Sequence, residues 1–110
     1  MNSMNARQIY ATLFDPRGPV HEAGGEWRFI GDTGCFDAAR LKQIVDSEIS
    51  GPQAYVAVSR HNATEVPLAA VPELVREYLD LGKVRIANLG LTRFAEVDPA
   101  GVVRSWRHDA

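Results

Sequence analysis

The stretch TRFAEVDPAGVVRSWR, residues 92–107, decides the fold class. Two runs of alternating side chains, residues 92–97 and 102–107, flank the tetrapeptide DPAG at 98–101. Proline at the second position and glycine at the fourth are typical of a type I turn followed by a glycine bulge. The sequence therefore predicts a β-hairpin at the C-terminal end of the chain.

Four other segments have the composition and alternation of β-strands. Residues 54–58 (AYVAV) are apolar on both faces, which is typical of a central strand. In residues 26–30 (EWRFI), Trp27 and Phe29 share one face. The remaining two predicted strands are residues 8–14 (QIYATLF) and residues 83–89 (KVRIANL).

Two helices are predicted between these strands. The first begins after Asp37, a favourable N-cap, and ends before residue 51, where Gly-Pro follows. The second covers residues 72–81, because proline suits the first helical position and glycine follows the last. Residues 60–64 are predicted to form a loop, and residues 67–71 a short turn.

The element order is therefore β-β-α-β-α-β-β-β. A strand, a helix and a second strand in succession are typical of a parallel crossover. We therefore expect an α+β fold, in which two helices pack on a mixed sheet of about six strands. We expect residues 1–6 to be a flexible N-terminal tail and residues 7–110 to form a single domain.

Composition limits the class of protein. The chain has 110 residues, 45% of them hydrophobic and 24% charged, as in an ordinary globular domain. Its single cysteine cannot form an internal disulfide, which fits a cytoplasmic protein. No stretch approaches the roughly 18 apolar residues of a membrane helix, so we expect no membrane association.

The cysteine, Cys35, raises the question of nucleophilic catalysis, because it lies just before a predicted helix, where the dipole favours a thiolate. Catalysis also needs a base, and nothing in the spacing of the three histidines shows that one reaches Cys35. A lone cysteine is more often a packed apolar residue. A ligand-binding or catalytic site, if there is one, is expected in the loops after the strands, at Asp32, Thr33, Cys35, Ser59, His61 and Asn62.

Two further stretches resemble functional motifs but lack residues that those motifs require. HEAGG, residues 21–25, begins like the zinc motif H-E-x-x-H but has Gly25 in place of the second histidine. GDTG, residues 31–34, lacks the lysine and the glycine spacing of a phosphate-binding loop. The sequence therefore predicts no metal, no cofactor and no catalytic residues.

Charge and aromatic residues indicate two candidate partner-binding surfaces. Residues 1–82 carry a net charge of −4, and residues 83–110 carry +2. On the last hairpin, alternation places Arg104 and Trp106 on one face, and Arg93 lies nearby. Tryptophan and arginine are enriched at binding hot spots. The second surface is the acidic side of the second helix, with Glu73, Glu77 and Asp80.

These observations favour a non-catalytic protein-binding module that masks a partner, such as an immunity protein, an inhibitor or an adaptor. The expected partner is another protein, for example a toxin or effector. A homodimer formed through the terminal hairpin is compatible with this function. Nucleic acid is not an expected partner, because the isoelectric point is near 5.9. The alternative is a small-ligand-binding protein or enzyme with its site around Cys35 and His61.

Overall fold

The structure, a computed structural model, describes residues 4–14, 26–31 and 37–107. These residues form three α-helices, one 3₁₀ turn and six β-strands. In chain order they are α1 (Ala6–Phe14), β1 (Arg28–Phe29), α2 (Ala38–Glu48), β2 (Gln53–Ala57), β3 (Ala63–Pro67), the 3₁₀ turn (Leu68–Ala70), α3 (Val71–Tyr78), β4 (Val84–Asn88), β5 (Arg93–Asp98) and β6 (Val102–Arg107). The α+β class and the six-stranded sheet are confirmed.

The strand order in the sheet is β1-β6-β5-β4-β2-β3, and every pair of neighbours is antiparallel. The prediction of a mixed sheet was therefore wrong. Helices do join strands that run in the same direction, β1 to β2 and β3 to β4. These strands are not neighbours, however, because β2 lies between β3 and β4 and three strands separate β1 from β2.

The C-terminal hairpin is confirmed. The backbone N–H of Gly101 donates to the carbonyl of Asp98 at 2.9 Å, which closes the turn between β5 and β6. The carboxylate of Asp98 accepts a second bond, from Ala100 N at 2.9 Å. Gly101 has φ +92°, in the region where glycine is favoured. The turn therefore has the geometry that the DPAG tetrapeptide predicts.

The predicted strand at residues 8–14 is a helix, α1. Ile9 and Leu13, four residues apart, are its buried side chains, and this spacing defines a helical face. At its start, Asn5 N donates to Gln8 Oε1 and Gln8 N donates to Asn5 Oδ1, both at 2.9 Å, as in a capping box. The helix thus begins at Ala6, within the segment predicted to be a tail.

The second hairpin of the sheet, β2–β3, was also missed. Residues 60–64 were predicted to be a loop, but Ala63–Pro67 form an edge strand paired with β2. The 3₁₀ turn at Leu68–Ala70 falls within the predicted turn. α3 begins one residue earlier and ends three residues earlier than predicted. α2 begins as predicted after its N-cap, Asp37, whose carboxylate accepts from Arg40 N at 3.0 Å.

The helices cover the two faces of the sheet unequally. α2 and α3 pack on one face, where the larger core cluster includes Leu41, Val75 and Ile86. On the other face α1 lies over β2, β3 and β4, and Ile9 and Leu13 belong to a smaller cluster there. The part of that second face formed by β5, β6 and β1 carries the candidate site.

Candidate binding surface

A buried carboxylate organises the second face of the sheet. Glu96, on β5, is 1% exposed, and its register partners on the two flanking strands are Arg85 and Arg104. Arg85 Nε donates to one carboxylate oxygen at 2.8 Å, and Arg104 Nη2 donates to the other at 3.0 Å. The cluster carries a net charge of +1. Since three adjacent strands supply one residue each, the sheet register fixes the geometry of both arginines.

Arg85 is also tied to α1. Its Nη1 donates to the carbonyl of Leu13 at 2.8 Å, near the C-terminal end of that helix. Its guanidinium lies 4.7 Å from the ring centroid of Phe14. A cation at a helix C-terminus and over an aromatic ring is stabilised by both contacts. Arg85 therefore joins α1 to the sheet and is not available to bind a partner.

Arg104 lies between two tryptophan rings. Its guanidinium carbon is 4.7 Å from the ring centroid of Trp27 and 5.6 Å from that of Trp106. Trp106 in turn stacks on Phe94, with 5.7 Å between the ring centroids. Among the described residues, Arg104 Nε and Trp106 Nε1 are buried donors without an acceptor. Buried donors of this kind are rare in folded proteins and need an explanation.

Two aromatic side chains beside this cluster are exposed. Trp27 is 44% exposed and Phe29, on the two-residue strand β1, is 66% exposed. Phe29 lies opposite Val102 in the β1–β6 register, on the same face as Arg104 and Trp106. We call Trp27, Phe29, Arg104 and Trp106 the β1–β6 patch. The backbone of β1 is held from outside the sheet, since Arg40 Nε donates to the Phe29 carbonyl at 2.9 Å.

The structure divides the first predicted surface. Arg104 and Trp106 share a face, as the alternation indicates. Arg93 lies on the opposite face, directly across from Arg107. Sequence reasoning missed Trp27 and Phe29 as binding residues, although their shared face in EWRFI was the signal. It also missed Glu96, because the role of that carboxylate depends on the register of three strands.

The second predicted surface is exposed at all three positions: Glu73 and Glu77 on α3, and Asp80 two residues after its end. Glu73 approaches Arg76 at 3.7 Å, so part of its charge is already paired. Partial burial, and secondarily the charge of Glu77, raises the pKa of the Tyr78 phenol above its ordinary value. These residues form a solvated acidic strip.

The alternative ligand site is only partly described. Asp32, Thr33 and Cys35 lie outside the described residues. Ser59, His61 and Asn62 lie in the β2–β3 turn, where Ser59 Oγ accepts from Asn62 N and Nδ2 at 3.2 and 3.1 Å. His61 is exposed. Three strands separate β2 from β1, so this turn and the end of β1 are about 19 Å apart, at about 4.8 Å per strand.

At the opposite end of β2 there is a shallow depression of about 220 Å³. It is lined by residues 50–53 and 88–90. Its polar side chains are Ser50, Gln53 and Asn88. The Asn88 amide is used within the β4–β5 turn, accepting from Thr92 N at 2.9 Å and donating to Thr92 Oγ1 at 2.9 Å. The Asn88 amide is therefore already engaged by its own turn.

Within the described ranges, no group of three histidine, cysteine or acidic side chains could hold a metal ion. In the same ranges no helix has the length and apolar character needed to cross a membrane. No protein-family model, no curated protein and no solved structure matches the chain. The function must therefore be argued from the β1–β6 patch and its surroundings.

Proposed function

We propose that the chain is a non-catalytic protein-binding module that masks its partner, and that the β1–β6 patch is its contact surface. The observation that carries this proposal is the exposure of Phe29, in the edge strand β1, and of Trp27, just before it, at 66% and 44%. Large exposed aromatic side chains grouped together typically mark an interaction site. Tryptophan and arginine, which make up the rest of the patch, are the residues most enriched at hot spots.

The patch is pre-organised. Glu96 holds Arg104 at 3.0 Å and the two tryptophan rings flank its guanidinium, so little side-chain freedom remains to be lost on binding. The unpaired donors Arg104 Nε and Trp106 Nε1 lie at the base of the patch.

The mechanism is steric. A rigid sheet edge with an aromatic surface covers a site on the partner and excludes its other ligands, as an immunity protein, an inhibitor or an adaptor does. We place this function in the cytoplasm, where a lone cysteine is compatible with a reducing environment. The alternative of a small-ligand site or enzyme has less support, because the Ser59 hydroxyl is already engaged by Asn62 within the turn.

The test compares two double variants in capture from a native lysate of the host. Trp27→Ala/Phe29→Ala should weaken retention of a stoichiometric partner by about 30-fold or more, the effect expected of hot-spot residues. Leu81→Ala/Leu89→Ala, which alters exposed leucines away from the patch, is the matched control and should retain the partner. Equal retention by both variants would refute the assignment of the patch. Gel filtration at several concentrations separates a foreign partner from a second copy.

A further inference from the structure

The strand β6 has an unpaired edge beyond β1. The β1–β6 ladder ends at the pair Arg28↔Val103, whereas β6 continues to Arg107. Among the described residues, none pairs with the outer edge of residues 104–107. A stretch of this length that none of the described residues pairs with is a template on which another strand can add.

The hydrogen-bond phase of β6 shows which backbone groups point outward. Ile30 N donates to the carbonyl of Gly101 at 2.8 Å, on the β1 side of the sheet. Backbone groups of an antiparallel strand alternate sides with a period of two residues. The N–H and C=O groups of Ser105 and Arg107 therefore point away from β5, toward the open edge.

Two arginines lie together near the same edge. Arg93 on β5 and Arg107 on β6 are direct register partners, so their side chains lie together on one face. Neither forms an ion pair with any residue that the structure describes. Like charges directly opposite each other destabilise a sheet. A carboxylate placed between them would remove that repulsion and gain two ion pairs.

Resting on the proposed function, we propose that the partner binds by adding an acidic β-strand to residues 104–107 of β6. Its backbone pairs with Ser105 and Arg107. Side chains of the added strand alternate between the two faces of the sheet. Those on one face meet Arg93 and Arg107 and are acidic, and those on the other meet the β1–β6 patch and are apolar.

A second copy of this chain fits the edge poorly. Antiparallel pairing of β6 with its own copy requires a two-fold axis perpendicular to the sheet. That axis leaves each face on its own side. The Arg93–Arg107 pairs of both copies would then share one face, four arginines without a carboxylate. The added strand is therefore expected to come from an acidic segment of another protein.

The test uses the full chain and defined peptides, with amide chemical shifts as the readout. An octapeptide of alternating Glu and Val should shift the Ser105 and Arg107 amides. The affinity of the matched Lys–Val peptide should be lower by a factor of about ten or more, because repulsion between lysine and arginine replaces the exposed ion pairs. No shift at these amides up to millimolar peptide, or equal binding of the two peptides, would overturn strand addition.

Two variants separate the contribution of backbone pairing to peptide binding from that of the arginine charges. Ser105→Pro removes an outward N–H while leaving the bonds to β5, a position where edge strands tolerate proline, and should abolish binding of the Glu–Val peptide. Arg93→Gln/Arg107→Gln leaves the backbone groups of β6 in place and should weaken binding of the Glu–Val peptide about tenfold. The control, Arg60→Gln in the exposed β2–β3 turn, should bind like the wild type. Wild-type affinity in both test variants would refute the proposal.

The outcomes distinguish this inference from the proposed function. If Trp27→Ala/Phe29→Ala loses the natural partner while Ser105→Pro and Arg93→Gln/Arg107→Gln keep it, strand addition is wrong and the protein-binding function stands. If Trp27→Ala/Phe29→Ala keeps the partner, the proposed function is refuted whatever the result for the edge of β6. A dimer of the free chain that Ser105→Pro abolishes would assign the edge to a second copy and overturn the acidic-partner proposal.

Discussion

Replacing Glu96 with glutamine tests the central electrostatic contact of the structure. The carboxylate is 1% exposed and accepts charge-assisted hydrogen bonds from Arg85 at 2.8 Å and Arg104 at 3.0 Å. Each such bond contributes about 1.5–3 kcal/mol, and breaking a buried pair typically costs about 3–5 kcal/mol. The arginine side chains are 20% and 22% exposed, so they recover part of their hydration. Glutamine also keeps one acceptor oxygen, and we therefore expect a loss of about 2.5 kcal/mol in the free energy of unfolding.

Urea denaturation followed by circular dichroism measures this loss. For small domains m is about 1–3 kcal/mol/M, so the midpoint should fall by about 0.8–2.5 M at unchanged m. Glu73→Gln is the control, because that carboxylate is 72% exposed and its loss should change stability by no more than about 0.5 kcal/mol. A cost for Glu96→Gln below about 1 kcal/mol would refute the reasoning that the two arginines depend on this carboxylate.

Four further predictions follow from local contacts. The raised pKa of Tyr78 means that the folded state retains the phenol proton more tightly than the unfolded state, so stability should fall as pH rises from 10 toward the folded pKa; Glu77→Gln should lower that pKa in a spectrophotometric titration, and an unchanged titration would contradict the contribution of Glu77. Asp37→Ala should cost about 1 kcal/mol in urea denaturation, whereas Asp37→Asn should cost much less, because asparagine also caps helices. Gly101→Ala should cost about 1–2 kcal/mol, since φ is +92° there, and a neutral effect would show that the turn relaxes. Leu13→Ala should lower the free energy of unfolding by about 2–5 kcal/mol, because Leu13 is a buried side chain of α1. The control Ala11→Ser, on the exposed side of α1, should leave it nearly unchanged.

The elements with local signals could be predicted from sequence. The DPAG turn fixed the β5–β6 hairpin through the proline and glycine that its backbone requires. Asp37 likewise marked the start of α2, because its side chain caps the first turn. In both cases residues within four positions of one another determine the structure, so no knowledge of the rest of the chain is needed.

The prediction of a strand at residues 8–14 was wrong because a short apolar segment fits both the strand and the helix periodicity. Ile9 and Leu13 satisfy alternation as well as helical spacing, and Tyr10 and Phe14 do the same. In the structure the second pair stacks with 4.8 Å between the ring centroids, as i,i+4 neighbours on a helix do. The capping residues Asn5 and Gln8 were the signal that could have decided between the two interpretations.

The candidate site depends on contacts between distant segments. Arg85, Glu96 and Arg104 meet because three strands pair in one register, which no local pattern specifies. Trp27 reaches Arg104 across more than seventy residues of chain for the same reason. The prediction that Arg104 and Trp106 share a face needed only alternation within β6. The face of Arg93 depends on the register between β5 and β6, which places it opposite Arg107 and away from Arg104 and Trp106.

The pairing of β1 with β6 also affects how the protein can fold during synthesis. β1 is two residues long and its register partners are Val103 and Val102, so no other strand can hold it in this sheet. The ribosome must therefore translate past Val103 before β1 can dock. Until then Trp27 and Phe29 remain on an unpaired segment, where exposed apolar side chains favour aggregation or recruitment of a chaperone. The residues that we assign to partner recognition are thus also among the last to reach their native neighbours.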